Sequence, residues 1–206
     1  NFDCIRLLMF RSLSSDSGGI VGDAYYFDGT DGYIDVDYQH STNRGTIMFW
    51  TYLYDNSSFG FGCWGGEDNR FYIQNPYNLG IGDNFSLGRF DPTEEEWHFV
   101  VVTFDGSIAK LIVDREVWEE LPYTWEHTET STGIEYGSTS DLAIGAYRSQ
   151  KGELIQPVNG IIDDVKIYTR DLASEDIDAR YDATKEDPEF FYQTRHEYTE
   201  RASSTV

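Results

Sequence analysis

The chain has 206 residues, with 37 acidic against 15 basic side chains and a formal net charge of −22. A surface of that sign repels DNA, RNA and anionic membranes, and no apolar run reaches the roughly 18 residues of a membrane-spanning helix. Hydrophobic residues at 39% and aromatics at 16% suffice for one sizeable core, so the length fits a single domain.

Along the chain the pattern is strand, turn, strand. "AYYFDGTDGYIDVDY" gives a short apolar run, a Gly/Asp/Thr turn, and alternation through Ile34 and Val36. In "GTIMFWTYLY", Ile47, Phe49 and Leu53 share one face, and Met48, Trp50, Tyr52 and Tyr54 share the other. Both faces are apolar or aromatic, as in an inner strand of a two-sheet stack. "RFYIQ" and "NLGIGD" are shorter strands. "EWHFVVVTFDG" is a continuous apolar run ending in an Asp-Gly turn, which places it centrally. "AKLIVDREVW" forms a hairpin, with Leu111 and Val113 before the turn and Val117 after it. "DLAIGAY" is one further strand, followed by the long polar loop "RSQKGELIQPVN". In "GIIDDVKIY", Ile161, Val165 and Ile167 make a period-two stripe that Asp163 interrupts on the same face, while Asp164 points the other way, to solvent.

One stretch has helical character. "LASEDIDARYD" offers a cap at Ser174, acids Glu175 and Asp176 in the first turn, and Leu172, Ile177 and Tyr181 at helical intervals. Residues 182–206 are charged, carry Pro188 and read as an acidic extended tail. Its Phe190, Phe191 and Tyr192 suit docking on the domain or on a neighbour. Short strands, turn signals at intervals of about 8–12 residues and one late helix describe an all-β, two-sheet sandwich over residues 1–181.

Four lysines stand against eleven arginines. Many carboxylates with few lysines suit a halophilic protein, where salt screens self-repulsion, and equally an acidic extracellular one. Cys4 and Cys63 allow one disulfide or two free thiols, not a disulfide framework. With Asn1 at its start and no signal-peptide pattern, the chain reads as processed or as a piece of a longer one.

Four stretches, in order, resemble the laminin G-like jelly roll of the concanavalin A-like lectin/glucanase superfamily: "GDAYYFDGTDGYIDV", "TIMFWTYL", "EEEWHFVVVTFDGSIAKLIVD" and "NGIIDDVKIYTRDLASEDIDARY". The last is the most specific, and the resemblance spans roughly residues 22 to 181. It implies an antiparallel jelly roll. Two departures stand out. The opening is compressed into "LLMFRSLSSDSGGIVGD", and Arg115 replaces the usual Gly of a "D-G" turn, so that hairpin is expected to use another turn type.

The resemblance also implies a structural calcium ion at the first Asp of "I-D-D-V", here Asp163. Ca²⁺ takes oxygen ligands at about 2.3–2.6 Å. Asp28 and Asp31, beside the glycine of "FDGTD", and Asp16 from the N-terminal loop complete a candidate shell that would join the last strand to the first. The alternative is that backbone N–H groups or a Tyr hydroxyl of the FDG turn satisfy Asp163. Either is needed, because an uncompensated carboxylate on a core face costs on the order of several kcal/mol.

Glycosidases on this fold carry paired carboxylates on one strand, as E-x-D-x-x-E, and that motif is absent. His40, His98, His127 and His196 are scattered, and no nucleophile elbow, P-loop or dinucleotide fingerprint occurs. No enzyme activity is expected. Sugar recognition needs flat aromatic faces and planar polar groups, and the candidate ligand-binding set is Trp64, Arg70, Tyr72, Tyr77, Trp125, Tyr147 and Arg148, with Trp118 and Tyr123 nearby in sequence. Each aromatic suits core packing as well. The expectation is a non-catalytic recognition or adhesion domain for a glycan or glycoprotein surface, working outside the cell or on a virion during host attachment. It would act as part of a larger chain or homo-oligomer, with avidity from many copies. The alternative is a building block of a virion or cell-surface assembly that uses the jelly roll for protein–protein contacts.

Overall fold

The computed structural model describes residues 15–36, 44–55, 58–64, 70–74, 78–82, 84–85, 92–123, 142–148 and 153–185. The strands are β1 (Ser15–Gly19), β2 (Gly22–Asp28), β3 (Ile34–Val36), β4 (Gly45–Asp55), β5 (Gly60–Trp64), β6 (Arg70–Gln74), β7 (Asn78–Gly82) and β8 (Asn84–Phe85). They continue with β9 (Trp97–Phe104), β10 (Ile108–Val113), β11 (Glu116–Pro122), β12 (Leu142–Ile144), β13 (Tyr147–Arg148), β14 (Leu154–Ile155) and β15 (Asn159–Tyr168), before helix α1 (Ser174–Lys185).

Two sheets stack face to face. One is antiparallel throughout, in the order β1-β2-β15-β4-β9-β10-β11. The other runs β14-β13-β5-β6-β7-β8, with β12 bridging β3 and β5. It contains one parallel pair, β13 with β5, where an all-antiparallel sandwich was expected. The cause is at Gly145, whose φ of +85° turns the chain back and splits "DLAIGAY" into two strands.

Residues that alternate along the strands fill the space between the sheets. Phe27, Phe49, Phe61, Ile73, Ile81, Val100, Val102 and Ile162 are all buried there, and the Phe49 and Phe61 rings stack at 4.7 Å. The opposite face of β4 presents Met48 and Trp50 to a second cluster with Phe99, Val101 and Ile112, covered by Ile177 and Tyr181 of α1. The two-faced apolar pattern of β4 thus reports a sheet on one side and a helix on the other. Beyond the β10–β11 turn the pattern weakens, and Val117 is 54% exposed.

The helix begins at Ser174 itself, and the cap falls one residue earlier than expected: the Ala173 carbonyl accepts from the N–H groups of Asp176 and Ile177. It runs on to Lys185, past the expected domain limit at residue 181, because Thr184 is buried against the sheet. The rest of the anticipated tail lies outside the described residues, as does Cys4.

The β10–β11 hairpin closes through Asp114 (φ +49°) and Arg115 (φ +74°). Two left-handed central residues are the pattern of a type I′ turn, so the turn is kept despite the missing glycine. The strain is offset locally. Asp114 accepts from the Phe99 N–H at 2.9 Å and pairs with His98 Nδ1 at 2.7 Å. The Arg115 guanidinium lies 4.7 Å from the Tyr181 ring centre and ion-pairs with Asp178 and Asp182 of α1.

Candidate functional site

Asp163 lies on β15 and is 4% exposed. It pairs in register with Trp50, so it points to the outer, helix-covered face of the seven-stranded sheet and not into the space between the sheets. The expected stripe is broken by a bulge: register shifts between Asp163 and Lys166, and Asp164 sits there at φ +49°. Val165 and Ile167 therefore turn inward while Ile161 and Asp163 turn outward.

The β1–β2 turn supplies the compensation for Asp163. Its Oδ2 accepts from the Val21 N–H at 2.7 Å and its Oδ1 from the Asp164 N–H at 2.6 Å, with the Ile20 N–H also turned to it. Gly19 makes room, since a Cβ there would stand 2.4 Å from Oδ2. Burial pushes the carboxyl pKa up to about 6, even though the N–H donors pull the other way. Asp164 is not a surface residue: its side chain is 6% exposed and ion-pairs with Lys166 and Arg180.

The proposed calcium shell does not assemble. Asp28 pairs in register with Asn159, four residues along β15 from Asp163, or about 13 Å. Asp28 is exposed and accepts from the N–H and hydroxyl of Thr30, which together pull its pKa down. Asp31 is exposed beyond the same turn. The backbone of Asp16 stands opposite Ala24, two strands from Asp163, but its side chain lies outside the described residues. Among the described residues, backbone N–H donors face both oxygens of Asp163, so the compensation seen there is hydrogen bonding. Among the described residues no three His, Cys, Asp or Glu side chains gather to hold a metal.

Of the expected ligand-binding aromatics, the two whose side chains are described do not form a sugar platform. Tyr72 and Tyr147 are 3% and 1% exposed, with rings packed together at 5.0 Å, and the Tyr72 ring lies against Gly80. Arg148 ion-pairs with Asp35 and lies 5.8 Å from the Tyr33 ring centre. Trp64 and Arg70 are cross-strand neighbours on β5 and β6, with side chains outside the described residues. Tyr77 and Trp125 are also outside them. Tyr123 is buried, accepts from the Gly106 N–H at 2.6 Å, and is pushed by burial to a pKa of about 12. Trp118 is 37% exposed on the edge strand β11.

A group that sequence inspection passed over comes together instead on the outer face of the seven-stranded sheet. Tyr26, Ile161, Tyr52 and Trp97 are successive register partners across β2, β15, β4 and β9. Rings touch in an unbroken chain: Tyr26 to Tyr54 at 6.1 Å, Tyr54 to Tyr52 at 5.3 Å, Tyr52 to Trp97 at 5.7 Å. All four rings and Ile161 are partly exposed. The next row towards the sheet end holds Asp28, Asn159 and Asp55, and the exposed Glu95 and Glu96 precede Trp97. The alternation in "GTIMFWTYLY" put Tyr52 and Tyr54 on one face, but only the register shows that residues 26, 97 and 161 join them.

A family model of the concanavalin A-like lectin/glucanases superfamily matches residues 28–178. No match is found among curated proteins. Among solved structures, domain 4 of AbnA, a GH43 extracellular arabinanase from Geobacillus stearothermophilus, in complex with arabinotriose, is similar at 16% identity. Its TM-score is 0.54, over 80% of this chain and 79% of that one. The ligand-binding domain of botulinum neurotoxin serotype D, in complex with N-acetylneuraminic acid, is 14% identical with TM-score 0.58, over 89% of this chain and 46% of that one. A heptameric SAP-like pentraxin from Limulus polyphemus is 11% identical with TM-score 0.52, over 74% of this chain and 78% of that one. This chain thus spans just under half the length of the toxin domain, and at such identities the likeness is one of fold.

Proposed function

Because this chain belongs to the concanavalin A-like lectin/glucanases superfamily, we propose that it is a non-catalytic recognition domain for glycans or a glycosylated surface. The observation that carries this reading is the chain of partly exposed rings Tyr26, Tyr54, Tyr52 and Trp97 beside an amide and carboxylates. Aromatic faces suit the C–H groups of sugars, and planar polar groups suit their hydroxyls. The sugars bound to the arabinanase domain and to the toxin domain support the same reading. The missing paired-carboxylate motif favours binding over hydrolysis. The strongly acidic surface suits a high-salt setting, where ionic strength screens self-repulsion.

Single-site affinity would be modest, so the test is a multivalent one. The full chain, biotinylated and gathered on streptavidin, is passed over an array of defined glycans and tested in polysaccharide pull-downs. Retention of one glycan class is the expected result. Absence of binding to every glycan rejects the reading.

A further inference from the structure

Resting on that reading, we propose that the seat is the ring chain on the outer face of the seven-stranded sheet, and that it takes an uncharged pyranose glycan. The rings span β2 to β9, three strand spacings or about 14 Å. That is longer than one sugar ring, so consecutive sugars can each meet an aromatic. Edge contacts at interplanar angles of 72°, 70° and 57° hold the rings against one another, so little side-chain freedom remains to be lost on binding. Ile161 stands between Tyr26 and Tyr52 in the same cross-strand row and adds a partly exposed apolar side chain.

The size and charge of the surface select the occupant. The four rings are each mostly buried and expose well under the ~800 Å² per partner of a standard protein interface. A ligand of small rings fits that area better than a protein does. The charges bordering the rings are acidic: Asp28 and Asp55 in the next row, with the exposed Glu95 two residues before Trp97. Carboxylates and the Asn159 amide can take the paired hydroxyls of a neutral sugar. The same carboxylates repel the carboxylate of a sialic acid or a uronic acid, and the overall charge of −22 adds to that repulsion. The seat is thus built against acidic glycans.

The test uses the full chain in multivalent form on an array carrying neutral oligosaccharides beside sialylated and uronate-bearing ones. Neutral glycans are expected to bind and acidic ones to be refused. Tyr54→Ala should weaken binding about tenfold, and the exposed rim change Asp55→Lys should raise the signal of acidic glycans. Trp118→Ala, on the far edge strand, should leave binding unchanged. Thermal melts accompany each variant, and if Tyr54→Ala fails to fold, Asp55→Lys decides the same question. If the unaltered chain binds neutral glycans and Tyr54→Ala and Asp55→Lys both match it, the seat is elsewhere and only this inference falls. Preference for acidic glycans overturns the ligand class. No binding to any glycan removes the recognition reading itself, and the seat with it.

Discussion

Trp50 donates from its indole Nε1 to the Thr184 hydroxyl at 3.0 Å, which joins the middle of β4 to the last turn of α1. That hydroxyl donates in turn to the Arg180 carbonyl at 2.9 Å, and the Trp50 ring stacks on Tyr181 at 5.5 Å. Both ends of the bond are buried. Thr184→Val keeps the shape and leaves the indole N–H without an acceptor. The expected loss is about 1–3 kcal/mol, measured by chemical denaturation, while Thr184→Ser should recover most of it.

Asp163 titrates in the fold at about 6 against an ordinary value of 3.8. The native state therefore holds a proton in that window which the unfolded chain has already released. Its contribution to stability is full below about pH 4 and is lost as pH rises through about 6. Carboxyl NMR should show the midpoint directly. Asp163→Asn should abolish this slope, and it should cost about 1–3 kcal/mol because an amide NH₂ would meet the Val21 N–H.

His98 shows the same sign in a higher window. Burial alone would lower its pKa, but the hydrogen bond and charge of Asp114, with the Thr93 carbonyl and Glu96, outweigh burial and raise it above 6.5. Both ring nitrogens face acceptors, Asp114 at 2.7 Å and Thr93 O at 3.2 Å, so the imidazolium is the form that fits. Stability from this group is present below pH 6.5 and lost as pH rises through the higher folded value. Denaturation curves across neutral pH should reveal that fall, and His98→Gln should lack it.

Gly145 leaves no room for a side chain. Its φ is +85°, and a Cβ there would stand 2.0 Å from the ring of Phe27, which is 1% exposed. Gly145→Ala combines backbone strain with overpacking, for an expected loss of about 2–4 kcal/mol. Thermal unfolding should show a lowered midpoint, whereas the same change at Gly106, a surface turn with φ +101°, should cost only the backbone strain.

Patterns that alternate within one strand were legible in the sequence. Ile47, Phe49 and Leu53 lie in the inter-sheet core and Met48 and Trp50 on the opposite face, as their spacing predicts, although it is the helix that covers that second face. The buried charge at Asp163 was legible too, but the N–H donors that satisfy it come from the β1–β2 turn and from Asp164, not from the FDG turn weighed beside calcium. What was hidden depends on register between distant segments. Tyr72 and Tyr147 look like loop-borne aromatics, but they sit on strands and bury against each other and against Gly80. Tyr26, Tyr52, Tyr54 and Trp97 come from three strands, and no local pattern says that β2 and β4 flank β15 with β9 beyond β4. The Asp163 bulge escaped because one extra residue leaves the hydrophobic count of the strand unchanged.

That extra residue works as a phase shift. Before Asp164 the odd-numbered positions of β15 look outward, and after it they look inward. Were the strand to run on without a bulge, its second half would be reversed, with Lys166 and Tyr168 driven between the sheets and Val165 and Ile167 facing the helix. Three steps along β15 from Asp163 to Lys166 face two along β4 from Trp50 to Met48, so deleting Asp164 would straighten the strand and still leave Lys166 opposite Met48 and Ile167 opposite Ile47. What such a deletion would remove is the buried carboxylate that Lys166 and Arg180 share.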